Sequence, residues 1–404
     1  MGLVSRKTRI TVEVSDMSVQ AKTWDVIVVG GGPAGAVVAR RLAERGIAVA
    51  LFDHSHPRFK PCSGFLSHDV APFEPVVAEF TDREEFVGDR RYTAPNGKSF
   101  VVPGKLAATQ FDLVDRAQFD WFLLQRAIAA GARWVKQRVK SLRRDGKQWI
   151  VTSEEGEQRA DFLIGADGAG SVVRRELLGK FNPRDLIAGA GRRYPDVRPA
   201  ELDTIFLPEG GIVFRLPGRD FAQLVLARRA DRAVGLTKRL AAFAAKYATE
   251  WPSDFVPWFG LQPSPSSPGF FDRPASGPGF CLIGDAAGHT DAANGEGIIY
   301  AIRGAVAAAD AIVEGRPEDY ESRWRDQFGE RLIKGARQAD IAASTRRLNI
   351  AATLLARSPH LVAAVSRGLA ADRSMAGLIR AALPHGHRIA WEIVRGPRPP
   401  ARRN

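Results

Sequence analysis

The stretch Asp25–Asp53, DVIVVGGGPAGAVVARRLAERGIAVALFD, limits the possible folds more than any other part of the chain. Asp25 to Val29 is a short apolar run that stops at glycines, the pattern of a strand buried on both faces. Gly30-Gly31-Gly32-Pro33-Ala34-Gly35 then turns the chain into a helix whose apolar side carries Val37, Val38, Ala39, Leu42 and Ala43. Gly46 ends that helix, and Ile47 to Phe52 form a second apolar strand with Asp53 at its tip. In a dinucleotide-binding strand–helix–strand unit, Gly30 makes the tight turn, Gly32 lets the backbone approach a pyrophosphate and Gly35 lets helix and strand pack closely. The pyrophosphate would rest on the helix's unpaired N–H groups and positive dipole end, where Pro33 and Ala34 also lie. Asp53, about twenty residues on, is the expected acceptor for a ribose hydroxyl. A glycine-rich turn alone is a weak signal; here strand, glycines, helix, strand and terminal acid stand in register.

The chain of 404 residues has room for two or three domains. Its two cysteines, Cys62 and Cys281, give no disulfide framework and fit a reducing compartment. Residues 1–22 are polar and mixed, without the apolar core of a secretion signal, and read as an extension outside the fold. No apolar run is long enough to span a bilayer, so a cytoplasmic location is expected. The net charge of +13 fits either an anionic partner or arginines spread over a solvated surface. Its one concentration is the tail, where Arg388, Arg395, Arg398, Arg402 and Arg403 face only Glu392. With prolines interleaved, that tail is expected to be disordered and able to touch anionic lipid at a membrane surface. No nucleic-acid-binding motif accompanies the charge, and no nucleic-acid partner is expected.

After Asp53, the loop-like HSHPRFKPCSGFLSHDV leads toward the cofactor, with Arg58 and Lys60 flanking Cys62. Cations there would favour a reactive thiolate; the alternative is a small apolar filler. Pro95-Asn96-Gly97 marks a hairpin within 86–105. Asp115 caps a helix to Ala130, with Phe119, Phe122, Leu123, Ala127 and Ile128 as its core face. Arg116 at its start either reaches a phosphate or cofactor edge or forms a surface ion pair. Strands are expected at Trp134–Val139 and Trp149–Thr152, with Asp145-Gly146 as a turn. Phe162-Leu163-Ile164 is a buried strand, followed by the small-residue loop Gly165–Gly170, which holds Asp167 and Gly168, and by a helix capped by Ser171. Such a unit needs a parallel neighbour, so the chain returns here to its first sheet.

Residues 186–270 change character. Strand-like pieces at Thr204–Leu207, Ile212–Leu216 and Phe221–Ala227, with an Ala-rich helix around Leu236–Tyr247, read as an inserted antiparallel sheet walling a substrate cavity. Trp251, Phe255, Trp258 and Phe259 are core or ligand contacts. Phe280–Ile283 is a further buried strand, ended by Gly284-Asp285, and Gly295-Glu296-Gly297-Ile298 opens a long helix of small residues. Asp285 is placed to bind a polyol hydroxyl, while Gly295 and Gly297 let the helix backbone approach a flat ring. A helix N-terminus aimed at a flavin stabilises the negative charge of its reduced ring. His289 is a candidate proton donor or a structural histidine. From Arg316 to about Arg380 the pattern is helical, with Tyr320, Trp324, Phe328, Leu332 and Ile333 on one stripe. Neither an internal repeat nor a metal-ligand cluster is apparent.

GGGPAG at Gly30–Gly35, GADGAGSVVR at Gly165–Arg174 and GDAAG…GEG at Gly284–Gly297 together resemble the para-hydroxybenzoate hydroxylase-like superfamily of FAD enzymes. Within it, KPCSGFL at Lys60–Leu66 and GDAAGHTDAANGEGIIYAI are similar to the geranylgeranyl reductase branch. Ala292 stands where a proline is usual, Ser63 where a glycine is common, and Gly211–Pro217 where the branch has an aromatic Y-x-W-x-F-P segment. The resemblance implies an α/β fold: a Rossmann-like FAD-binding domain (23–85, 106–185, 271–325), an inserted antiparallel substrate domain (86–105, 186–270), a helical region (326–387) and a basic tail (388–404). It implies bound FAD, NAD(P)H or another external electron donor, and saturation of isoprenoid double bonds in a small apolar substrate. Cys62 and His289 are the catalytic candidates. Gly30, Gly32, Pro33, Ala34, Gly35, Asp53, Arg58, Cys62, Ser63, Arg116, Asp167, Gly168, Gly284, Asp285, Gly295, Glu296, Gly297 and Ile298 are the cofactor candidates. The alternative within the superfamily is a monooxygenase or halogenase acting on an aromatic or polyketide substrate.

Overall fold

The computed structural model describes residues 23–107, 109–342, 344–371 and 375–396. Its centre is the strand Thr23–Val29, which pairs in parallel with Val49–Phe52 on one side and Gly156–Gly165 on the other. Val26, Ile27, Val28 and all of Val49–Phe52 are buried, as expected of a parallel sheet covered on both faces. Arg133–Val135 extends the sheet at one edge and Phe280–Leu282 at the other, both in parallel. The hairpin Ser141–Asp145/Gln148–Ser153, turning at Asp145-Gly146, continues antiparallel from Gly156–Gly165. On one face the helix Pro33–Ala43 packs against Ile298–Val313 and against Arg116–Ala129. Ala305, Ala308 and Ala309 in the long helix let it lie close.

A second sheet of seven strands runs, in spatial order, Val256–Pro263, Leu186–Pro195, Phe221–Arg229, Ile212–Pro217, Leu202–Phe206, Arg90–Thr93 and Ser99–Val102. All neighbours are antiparallel except Leu202–Phe206 with Arg90–Thr93. The hairpin closed by Gly97 (φ 79°) thus joins strands more than a hundred residues downstream. Helix Leu236–Tyr247 covers the outer face with Leu236, Leu240 and Ala244. The strands Leu186–Pro195 and Val256–Pro263 were not expected, since glycine and proline mask their alternation. The structure explains the glycines: a Cβ on Gly191 would lie 2.1 Å from the Trp258 ring, so the indole lies over a strand stripped of side chains. Three short strands, Phe65–Ser67, Phe111–Val114 and Arg83–Glu85, form a third sheet.

The C-terminal part is helical: Glu330–Ala342, Thr345–Arg357, Pro359–Ala371, Met375–Ala382 and Gly386–Arg395. The expected disorder of the tail does not hold for Gly386–Arg395. This helix buries Ile389, and its Glu392 accepts from Ser358 Oγ at 2.6 Å and meets His360 Nδ1 at 2.7 Å. Arg398, Arg402 and Arg403, like the extension 1–22, lie outside the described residues. Among the described residues no single helix is long and apolar enough to cross a membrane. The architecture is the expected α/β class with an antiparallel second sheet and a helical C-terminal region.

Candidate functional site

The carboxyl ends of the parallel strands and one face of the seven-stranded sheet enclose a cavity of about 1740 Å³. Pockets for drug-sized ligands run to about 1,000 Å³, so this one has room for a dinucleotide and a further ligand. The helix Pro33–Ala43 starts on it, with Gly32 at the N-cap, no side-chain cap and a proline at its first position. A Cβ on Gly32 would meet nothing within 4 Å, whereas one on Gly35 would lie 1.8 Å from the Gly30 carbonyl oxygen. Gly32 therefore keeps the approach open, and Gly35 locks turn to helix. The helix Ile298–Val313 also starts on the cavity; Gly297 is its N-cap, again without a side-chain cap. Two uncapped helix N-termini of normal length, aimed at one space, fit a ligand with a diphosphate and an electron-accepting ring.

Asp53 ends the second strand and organises the loop after it. Its Oδ2 accepts from Gly31 N at 2.8 Å, and Oδ1 accepts from Ser55 N and Oγ at 2.8 and 2.9 Å. Behind it lies a chain of buried charges, of which His56 and Asp120 were absent from the expected set. His56 Nδ1 is 2.9 Å from Asp53 Oδ1, and Nε2 is 3.9 Å from Asp120 Oδ2. Asp120 accepts from Arg116 Nε and a terminal nitrogen at 2.7 and 2.8 Å, one helical turn apart. Burial alone would raise the carboxyls and lower His56. The opposite charges outweigh it, holding Asp120 down at about 2 and Asp53 well below the usual carboxylate range, and raising His56. Arg116 is thus in neither of its two expected settings alone: it lines the cavity and is tied by a buried ion pair, with Cys62 as a further partner. Cys62 lines the wall half-buried, and its carbonyl accepts from Gln223 Nε2 at 2.8 Å.

The cavity also touches Pro33, Ala34, Arg58, Ser63, Gly168, Asp285, Gly295, Glu296 and Ile298. Gly35 and Gly284 stand behind it in the packing: a Cβ on Gly284 would press on Ala301 and Ala34. Asp167 reaches it, but its carboxylate is engaged in capping a helix, accepting from Ser171 Oγ at 2.5 Å and Val172 N at 2.6 Å. Its pKa is nonetheless raised, burial being the largest influence. His289, the candidate proton donor or structural histidine, stands apart from the cavity, and its ring packs on Trp324 at 4.4 Å and Phe328 at 5.3 Å. Burial first, then Arg325 and Arg174, lower its pKa to about 3, so the imidazole is neutral near neutral pH.

The far half of the cavity is apolar. Ile212, Phe214 and Leu216 of one strand alternate into it, beside Val225, Leu202 and Trp258. Leu348, Leu355, Val362 and Leu369 from the C-terminal helices close the end. Arg90 and Tyr92, on the neighbouring hairpin, also face it and had no signal in the sequence beyond alternation in a short strand.

The lycopene cyclase protein family matches residues 25–182. A geranylgeranyl diphosphate reductase from Rhodobacter capsulatus is 29% identical over 326 residues, covering 73% of this chain and 78% of that protein. A geranylgeranyl bacteriochlorophyll reductase-like protein from Thermoplasma acidophilum has a similar structure, with a TM-score of 0.73 and 20% identity over 92% of this chain and 99% of that one. A flavin-dependent brominase also matches, with a TM-score of 0.64 and 17% identity over 93% of this chain and 100% of the other. These two structural likenesses show a shared fold.

Proposed function

We propose that this chain, an FAD-dependent oxidoreductase similar to the geranylgeranyl reductases, saturates carbon–carbon double bonds in an apolar, isoprenoid-like substrate. The reading is carried by one juxtaposition: two uncapped helix N-termini and a long apolar chamber share a single cavity. FAD supplies hydride transfer, and the protein supplies position and electrostatics. Electrons enter from NAD(P)H or another external donor.

In this reading Gly30, Gly32, Pro33, Ala34 and Gly35 shape the amide cradle for the diphosphate, and Asp53 and Asp285 accept from the ribose and ribityl hydroxyls. Gly295, Glu296, Gly297 and Ile298 back the ring, where the helix dipole favours negative charge. Arg58, Ser63, Arg116 and Gly168 line the same groove, while Asp167 and Gly284 hold its rim in shape. Cys62 stands where the cofactor half meets the apolar half, and is the candidate side chain for meeting the substrate; His289 is a packing residue. The apolar walls keep water from the reacting centre.

Anaerobic reoxidation tests the reaction. The flavin-loaded protein, reduced under nitrogen, is expected to regain its oxidised spectrum when geranylgeranyl diphosphate or a similar prenyl compound is added, with a product two hydrogens heavier per bond. The brominase-like fold keeps oxygen chemistry as the competing reading. Reoxidation by oxygen alone, with an oxygenated or halogenated product, would establish that one instead.

A further inference from the structure

Arg90 is 9% exposed and lies in the wall of the apolar chamber. One terminal nitrogen donates to the Thr109 carbonyl, the guanidinium lies 4.6 Å from the centre of the Phe111 ring, and Nε has no partner. No carboxylate among the described residues pairs with it. The other buried arginines differ. Arg40 meets Glu44 and Glu74, and Arg116 meets Asp120. Arg174 also lacks a carboxylate but lies outside the cavity, over the Phe181 ring at 3.9 Å. A buried cation without an anion is costly, and burial accordingly depresses the ionisation of Arg90. A ligand anion entering the chamber would relieve that cost.

The surroundings select the kind of anion. The titratable groups acting on Arg90 are Tyr92 and Glu296, with no second arginine or lysine among them. A diphosphate carries several charges and calls for several cations or a helix N-terminus. A carboxylate carries one charge, matches the planar guanidinium and leaves room for a neutral donor. Tyr92 supplies that donor. It projects from the same strand face two residues on, and burial raises its pKa, so it keeps its proton. Its ring stacks on Phe100 at 5.2 Å, which makes the rest of the wall apolar.

We propose that Arg90 and Tyr92 together hold a carboxylate carried by an otherwise apolar substrate. The proposal rests on the isoprenoid reading for the chain attached to that carboxylate. It is tested by calorimetric titration of the flavin-loaded protein with three ligands of one chain length: geranylgeranoic acid, geranylgeraniol and geranylgeranyl diphosphate. The acid is expected to bind at least roughly tenfold more tightly than either other ligand. R90M should bring the acid down to the alcohol, R90K should retain part of the preference, and Y92F should lose part of it. Equal binding of acid and alcohol by the unmodified protein would overturn the proposal without any variant, while leaving the isoprenoid reading intact. So would a diphosphate that binds tightest and is indifferent to R90M. A second pair, dodecanoate and dodecanol, separates the two ideas: an Arg90-dependent preference for dodecanoate alone would sustain the carboxylate site and reject the isoprenoid chain. Failure of both series to bind would overturn both.

Discussion

Gly35→Val is expected to yield a protein that no longer holds flavin. The added Cβ would stand 1.8 Å from the Gly30 carbonyl oxygen and 3.3 Å from the Ala166 side chain. Gly30 has no slack of its own: its φ is 104°, and a Cβ there would lie 2.4 Å from the Ala166 carbonyl oxygen. Neither backbone can yield without separating the helix Pro33–Ala43 from the strand it follows. Overpacking of this kind costs about 1–3 kcal/mol or more. The same displacement moves the amides that face the cavity, so cofactor affinity should fall further than stability. Flavin content per chain, with circular dichroism to check the fold, measures the effect. Gly386→Ala is the control, since a Cβ there would meet nothing within 4 Å, and it should keep full flavin content. Undiminished flavin in Gly35→Val would show that the cofactor does not use this turn.

His56→Leu should give the largest loss of stability. The imidazole is 1% exposed and stands between Asp53 and Asp120, so removing it leaves two buried carboxylates short of a partner. Breaking a buried pair typically costs about 3–5 kcal/mol. The pH dependence has a definite sign. His56 is raised from 6.5, so its contribution is complete below that value and is lost as pH rises through the folded-state pKa. Asp120 is lowered from 3.8 to about 2, so its contribution is present above 3.8 and is lost as pH falls toward 2. Urea unfolding across this range should therefore show an acid limb and an alkaline limb in the parent, and only the acid limb in His56→Leu. An unchanged alkaline limb would place the titration on another group.

The nucleotide-binding half was legible because its constraints are local. Gly30, Gly32 and Gly35 declare a turn whose geometry tolerates little else, and the flanking valines read as strand at any register. The second sheet was less legible. Gly189 and Gly191 look like loop residues until Trp258, more than sixty positions away, is seen lying across them. The role of His56 was equally hidden, because its partners Asp53 and Asp120 come from a strand tip and a helix that meet only in the folded chain. Arg90 gave no local clue either, for what sets it apart is that no carboxylate among the described residues forms an ion pair with it. For His289, a motif neighbour of the late glycines, the sequence left proton donor and structural residue both open; its ring packs on Trp324 and Phe328, which only the fold brings to it. The tail did mislead. Its composition suggested disorder from Arg388 on, yet within the described residues Ile389 and Glu392 anchor the helix Gly386–Arg395 to the preceding bundle.

One visible absorption spectrum of the purified protein, followed by release and identification of its chromophore, bears most directly on the flavin. The oxidised-flavin bands should be present, or should appear when FAD is added, with FAD recovered in equimolar amount to the chain. Protein that stays colourless and neither binds FAD nor quenches its fluorescence on titration would contradict the assignment of the cavity and everything built on it.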